Sequence, residues 1–261
     1  MKNTKILVSV LIANYNNAKF IKDCIKSVKK QTYTNIEIIF FDDCSQDNSI
    51  NEIKKFPKIK VIGNNKRGKF GSFNQMNAYV KAFKESRGDI IFLLDSDDFF
   101  SKEKISYLVN IFVNNNKISA IFDLPIFKYE KKLEFKKNKK SYIKNFWPYI
   151  PPQSCISIRK KDFEKVLKNI NFKLFPDIWM DFRMALYLKY ISRNFFILNK
   201  NLTYYRQSAQ MVSSNFKYLS ISWWKRRMQA HYYVKYFFLK HKISYKKNFD
   251  FFLTFFINNL I

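Results

Sequence analysis

The chain is poor in the residues that most often build metal, redox or covalent centres. It has 2 His, His231 and His241, both in a basic aromatic stretch, which argues against a His-based metal site or a Ser-His-Asp triad. Its 3 Cys, Cys24, Cys44 and Cys155, are odd in number, widely spaced and form no CxxC pair. That usage points to free thiols in a reducing compartment rather than a disulfide frame. No apolar stretch reaches the ~18 residues that a membrane-spanning helix needs. The start, Met1 to Val10, runs straight into a strand pattern and lacks a signal-peptide cleavage signature. A cytoplasmic location is the expectation. Arg is scarce beside Lys, occurring only at 67, 87, 159, 183, 193, 206, 226 and 227.

Charge and aromatics are abundant instead. The net charge is +28, and 19% of the 261 residues are aromatic, with 29 Phe, which excludes a disordered chain. The length fits one large domain or two small ones. Readers of phosphate and bases lean on the Arg fork, so a Lys-dominated excess does not favour nucleic acid. Abundant Lys, Asn, Ile and Phe with only 4 Gly reads first as compositional drift, then as attraction to an anionic membrane.

The strongest local signal is Ile90 to Asp98, an apolar run that ends in Asp95, Asp97 and Asp98. A strand buried on both faces tolerates continuous hydrophobic sequence but not carboxylates, so the acids belong where it leaves the core. In an open α/β sheet the C-terminal edge is where ligands bind. Crowded carboxylates suit a hard cation such as Mg²⁺ or Mn²⁺; equally, Ser101 and Glu103 look like a helix start, so the acids can be a solvated turn. Residues 5–12 and 36–41 form two more strand candidates, each followed by a helical pattern, and 59–62 a fourth before a helix near 74–86. A helix from about 177 to 190 and strands at 154–158 and 195–198 follow. The alternation predicts a doubly wound, mostly parallel α/β sheet.

Three strand ends align: Ala13-Asn14-Tyr15-Asn16, Asp42-Asp43-Cys44-Ser45 and Asp95-Ser96-Asp97-Asp98, with Gln31-Thr32-Tyr33 before the second strand. Together they resemble the inverting GT-A nucleotide-sugar glycosyltransferases, often called family 2. The likeness is specific over residues 5–108 and thinner to about 206. It implies a GT-A (Rossmann-like) fold with donor contacts at Ala13, Tyr15, Asp42, Asp43, Arg67, Asn74, Asp95 and Ser96. Tyr15 is suited to stack on a base, and Asp42 or Asp43 to accept from an imide N–H or a ribose hydroxyl. Taken singly, each residue is equally a core aromatic or a turn residue. The likeness further implies Mn²⁺ or Mg²⁺ at Asp97, with Asp95 on the metal or the ribose.

The family's general base is an Asp that opens a helix leading to a strand and a Leu-x-Tyr-Tyr-Arg-like segment. Counting back from Arg206 gives Asp181, where Met180 stands in place of the usual Glu. Asp177, four residues earlier, is the rival and can instead be an N-cap. Gln153, Ser154 and Trp179 are the expected acceptor contacts, and Trp147 is a further candidate for sugar stacking. The implied activity is a metal-dependent inverting transfer from a nucleotide sugar, a UDP-sugar first, to a glycan or lipid-linked glycan of a bacterial-type surface polysaccharide. A polyprenyl-phosphate glycosyltransferase and a non-catalytic basic membrane- or nucleic-acid-binding protein are the alternatives; nucleic acid is not expected as a partner. Residues 1–115 are expected to bind the nucleotide sugar, 116–215 the acceptor, and 216–261 to form a helical basic-aromatic extension. Within the extension, 222–261 reads either as a membrane-interface helix, which places the protein peripherally on the inner face, or as a hairpin packed on the catalytic domain or in a homodimer.

Overall fold

The computed structural model describes residues 6–137, 151–171, 173–207 and 216–261. Trp147 lies outside the described residues. Strands β1 (Val8–Asn14), β2 (Ile36–Asp42), β3 (Lys60–Gly63) and β4 (Ile90–Asp95) pair in parallel in the order β3-β2-β1-β4. Helices α1 (Ala18–Lys29), α2 (Ser49–Lys54) and α3 (Gly71–Lys84) connect them. Alternate strand residues go to opposite faces. Val8, Val10, Ile12, Ile90, Phe92 and Leu94 join one core cluster, while Leu11, Ala13, Ile91 and Leu93 join the other. Both faces are covered, which is why these strands read as continuous apolar runs. Gly88 begins the approach to β4 where a Cβ would lie 2.5 Å from the Ser9 backbone nitrogen, so a side chain does not fit there.

Beyond β4 the sheet turns mixed. The two-residue β5 (Phe99–Phe100) precedes α4 (Lys104–Asn114), β6 (Ala120–Lys128) and β7 (Leu133–Phe135). A 3-10 turn at Gln153–Cys155 leads into β8 (Ile156–Arg159), α5 (Lys160–Asn169), α6 (Met180–Tyr187), a π-helical turn at Leu188–Ser192 and β9 (Phe195–Arg206). β8 is antiparallel to both β4 and β6, and β9 runs parallel to β6. The two halves of the chain therefore share one sheet. The first four strands are all parallel; beyond them antiparallel pairs accompany the parallel β6–β9 pair. The strand at 195–198 and the Leu202–Arg206 segment form one strand. The helix expected from 177 starts three residues later, at Met180, so Asp177 is neither helical nor its N-cap. The buried Arg183 explains this: it donates to the carbonyls of Asn171, Leu174, Phe175 and Ile178, fixing that stretch as a loop.

The last two helices, α7 (Ile221–Lys240) and α8 (Phe249–Leu260), form a hairpin. Ser220 and Asn248 cap them, each side chain accepting from a backbone N–H three residues on. Ala230, Tyr233, Val234, Phe237 and Phe238 of α7 join the same core cluster as α3, α5 and α6. Among the described residues no helix is long and apolar enough to cross a membrane.

A buried ion pair locks the mixed half together. Lys104 Nζ lies 2.7 Å from Asp123 Oδ1, both side chains being 0% exposed, and also donates to Thr203 Oγ1 and the Ser154 carbonyl. Thr203 in turn donates to Asp123 Oδ2. Removing one charge leaves the other stranded, at roughly 3–5 kcal/mol. Lys104→Met is expected to lower unfolding free energy by about that much in urea titrations, and the double variant Lys104→Met/Asp123→Leu to recover a large part. A loss under about 1 kcal/mol for Lys104→Met contradicts this role for the pair.

Candidate active site at the C-terminal edge of the sheet

Parallel register places the strand ends side by side, with Asn14 opposite Asp42 and Ala13 opposite Asp95. They open on a cavity of about 440 Å³. Of the residues singled out from the sequence, Ala13, Tyr15, Asp43, Arg67, Asn74, Asp95, Asp97, Gln153, Trp179 and Asp181 line it. Asp42, Ser96, Ser154 and Asp177 do not.

At one end, Arg67 joins Tyr15 to Asp43. Its guanidinium carbon lies 3.5 Å from the Tyr15 ring centroid, and its Nε lies 2.9 Å from Asp43 Oδ2. Asn64 Nδ2 donates to Asp43 Oδ1 at 2.8 Å. Burial pushes the Asp43 carboxyl up, against the pull of Asn64 and Arg67. Asp42 is occupied elsewhere: it accepts from Asn14 Nδ2, the Ser45 backbone N–H and the Ser45 hydroxyl. Asn16 and Cys44 adopt positive φ of 51° and 63°, and the two loops latch through Asn16 N to Ser45 Oγ and Gln46 N to Asn16 Oδ1. Asn74 holds the neighbouring loop by donating to the Gly68 carbonyl, while Ser96 accepts from Asn17.

At the centre, the three acids divide. Asp95 and Asp97 face the cavity, and Asp98 turns into the protein. Asp98 accepts from the Ser154 hydroxyl at 2.6 Å and from the Arg206 backbone N–H at 2.8 Å, while Ser154 Oγ also receives the Asp95 N–H. Ser154 thus fixes the acids from behind the cavity. Asp95 Oδ1 accepts from Gln75 Nε2 at 2.7 Å and Tyr79 Oη at 2.8 Å. Burial, then the charge of Asp97, raises the Asp95 carboxyl to about 7 despite these bonds. Burial also raises Asp97, and drives Asp98 well above the ordinary range with help from both neighbours.

Across the cavity, Asp181 opens α6 and accepts from the Phe182 N–H. Burial raises it to about 7, opposed by that bond and by Arg226. Asp177 instead accepts from Gln229 Nε2 at 2.8 Å on α7. Sequence reasoning missed Gln75 and Tyr79, whose i, i+4 spacing on α3 was the available signal, and Arg226, which reads as one more cation in Trp223-Trp224-Lys225-Arg226-Arg227.

Among the described residues, no three His, Cys, Asp or Glu side chains converge as a complete metal-ligand set. Asp95 and Asp97 nevertheless fit a partial one. Mg²⁺ and similar hard ions are commonly held by one or two carboxylates, with substrate phosphates and water completing the shell.

The sequence profile of glycosyl transferase family 2 matches residues 9–184. An uncharacterised glycosyltransferase of Nostoc sp. is 30% identical over 219 residues, covering 76% of this chain and 64% of its own length. The UDP-Glc:α-D-GlcNAc-diphosphoundecaprenol β-1,3-glucosyltransferase WfaP of Escherichia coli is 38% identical over 115 residues, 43% of each chain. The chain thus spans less than two thirds of the length of these relatives. Two solved structures share the fold: residues 1–349 of S. aureus TarS with UDP (TM-score 0.61, 16% identity, covering 88% of this chain and 65% of that one), and the Pyrobaculum calidifontis mannosyltransferase PcManGT with GDP-Man and Mn²⁺ (TM-score 0.59, 14% identity, 95% and 68%). The fold is GT-A, and the chain belongs to glycosyl transferase family 2.

Proposed function

We propose that the chain transfers a sugar from a UDP-sugar to a hydroxyl of a glycan or lipid-linked glycan, with a divalent metal and inversion at the anomeric carbon. The observation that carries this reading is one cavity with Tyr15, Asp43 and Arg67 at one end, Asp95 and Asp97 in the middle, and Asp181 across from them. Tyr15 offers a flat ring to the base and Asp43 a directional acceptor to its N–H. Arg67 already sits on that ring, so a cation waits where the donor brings negative charge. Asp95 and Asp97 would hold Mn²⁺ or Mg²⁺. Bound there, the ion supplies positive charge to the diphosphate leaving group. Asp181 takes the proton of the acceptor hydroxyl, and attack from the face opposite the leaving group inverts the configuration.

A lipid-linked acceptor is supported by the diphosphoundecaprenol-linked acceptor of the Escherichia coli relative and by the C-terminal hairpin. Phe252, Phe256 and Leu260 share one stripe of α8 and are 55%, 62% and 69% exposed, with Lys246 and Lys247 exposed just before the helix. Apolar rings rimmed by Lys suit an anionic membrane surface on the cytoplasmic side better than a second copy carrying the same positive charge.

Asp97→Ala is expected to abolish turnover and remove the metal dependence of UDP binding in calorimetry, without changing the melting temperature. Full activity of that variant in excess EDTA contradicts the metal reading. Asp43→Ala should weaken UDP binding by roughly 1.5–3 kcal/mol. Asp42→Ala should act mainly on thermal stability, because its oxygens hold the two loops together. UDP affinity unchanged in Asp43→Ala argues against the nucleoside end as drawn.

A carboxyl raised to about 7 is active as a base only when deprotonated, so wild-type kcat/KM should rise with pH through about 7 and level off above it. Asp181→Asn should lower kcat by ~10²–10⁴ and leave donor binding intact. Asp177→Asn, whose side chain meets Gln229 outside the cavity, should stay close to wild type. An inactive Asp177→Asn beside an active Asp181→Asn reverses the assignment of the base.

A further inference from the structure

One cation in the cavity comes from the C-terminal hairpin. Arg226 of α7 lies against two rings, its guanidinium carbon 4.0 Å from the Trp179 centroid and 4.1 Å from that of Phe216. Its Nε donates to the Asp177 carbonyl at 2.9 Å, and one Nη reaches Ser72 Oγ at 3.4 Å. A guanidinium has five N–H donors, and among the described residues the remaining ones have no hydrogen-bond partner. Among the described residues no carboxylate lies within ion-pair distance of it. Asp181 therefore does not consume this charge, although the two influence each other across the cavity.

Position decides what the free donors meet. Arg226 touches Trp179 and the Asp177 carbonyl, the segment that leads directly into Asp181. It therefore belongs to the part of the cavity that Asp181 lines. Contacts with two rings and a hydrogen bond to the Asp177 carbonyl restrain the fork before anything binds, which suits a paired contact with phosphate oxygens. The geometry points to Arg226 as a binding residue for a phosphate group of the acceptor, close to the hydroxyl that receives the sugar. This rests on the reading that Asp181 marks the acceptor end. The chemistry is a phosphate ester, from a lipid carrier or from a soluble or polymeric polyol phosphate.

The test is calorimetry on the full chain with the donor site saturated by UDP and Mn²⁺ in excess, using geranyl phosphate, glycerol phosphate and geraniol as probes. Wild type should bind a phosphate ester and not geraniol, with an affinity that falls as salt rises. Arg226→Gln should lose at least tenfold of that affinity and Arg226→Lys less, with UDP–Mn²⁺ binding unchanged in both. Preference for geranyl phosphate assigns the group to a lipid carrier, and preference for glycerol phosphate to a polyol phosphate. Equal binding of geraniol and geranyl phosphate, or no phosphate-ester binding by wild type that binds UDP–Mn²⁺ normally, overturns this inference alone. A parallel loss of UDP–Mn²⁺ binding in Arg226→Gln places the residue on the donor and overturns it too. Wild type that fails to bind UDP–Mn²⁺ contradicts the donor reading and this inference with it.

Discussion

Carboxylates held together out of water set the terms for the rest of this molecule. Asp95, Asp97 and Asp98 leave one strand end within four residues, and burial raises the affinity of all three for protons. Such a group is costly to ionise unless a cation or several hydrogen bonds compensate. The surroundings compensate unequally. Asp98 receives Ser154 and the Arg206 backbone, and Asp95 receives Gln75 and Tyr79. Gln75 and Tyr79 still leave Asp95 at about 7, a residual demand for positive charge that a divalent ion would meet. The buried Lys104–Asp123 pair serves the same cluster at one remove, since Lys104 also grips the Ser154 carbonyl.

The same demand has a thermodynamic sign. Asp95 and Asp181 hold protons in the folded chain at pH values where the unfolded chain, near the ordinary 3.8, has lost them. Their contribution to stability is therefore present at low pH and declines as pH rises from about 4 to about 7. An active site that destabilises its own empty form is well placed to gain from a ligand. The helices that close the cavity bring the opposite charge: α7 delivers Arg226 against Trp179 and Phe216, and the loop before α3 delivers Arg67 onto Tyr15.

Much of this was legible in the sequence because strand ends in a doubly wound sheet converge by construction. Apolar runs that stop at Asn14, Asp42 and Asp95 mark three edges in the sequence alone, and parallel register makes them neighbours. What stayed hidden depends on contacts between distant segments. Asp42 and Asp43 are adjacent and alike on paper; only the pairing of Asp42 with Asn14 and Ser45 turns one inward and leaves the other in the cavity. The start of α6 was misplaced because Arg183, two residues beyond Asp181, binds four upstream carbonyls and keeps Asp177 out of the helix. Arg226 was invisible as a site residue because its aromatic neighbours Trp179 and Phe216 come from outside its own helix. Strand β6 escaped notice, and β9 was legible only over 195–198, because their pairing is long-range and their register is interrupted by bulges.

The central claim is that cavity carboxylates carry raised proton affinities which a divalent ion relieves. Titrating Mn²⁺ into the UDP-saturated protein near pH 7, in two buffers of different protonation enthalpy, measures this directly. Metal binding to raised carboxylates displaces protons. The account predicts proton release beyond that of UDP and Mn²⁺ alone, fading about two pH units higher, where the acids are already ionised. Mn²⁺ binding with no such release near pH 7, or no Mn²⁺ binding at all, contradicts it.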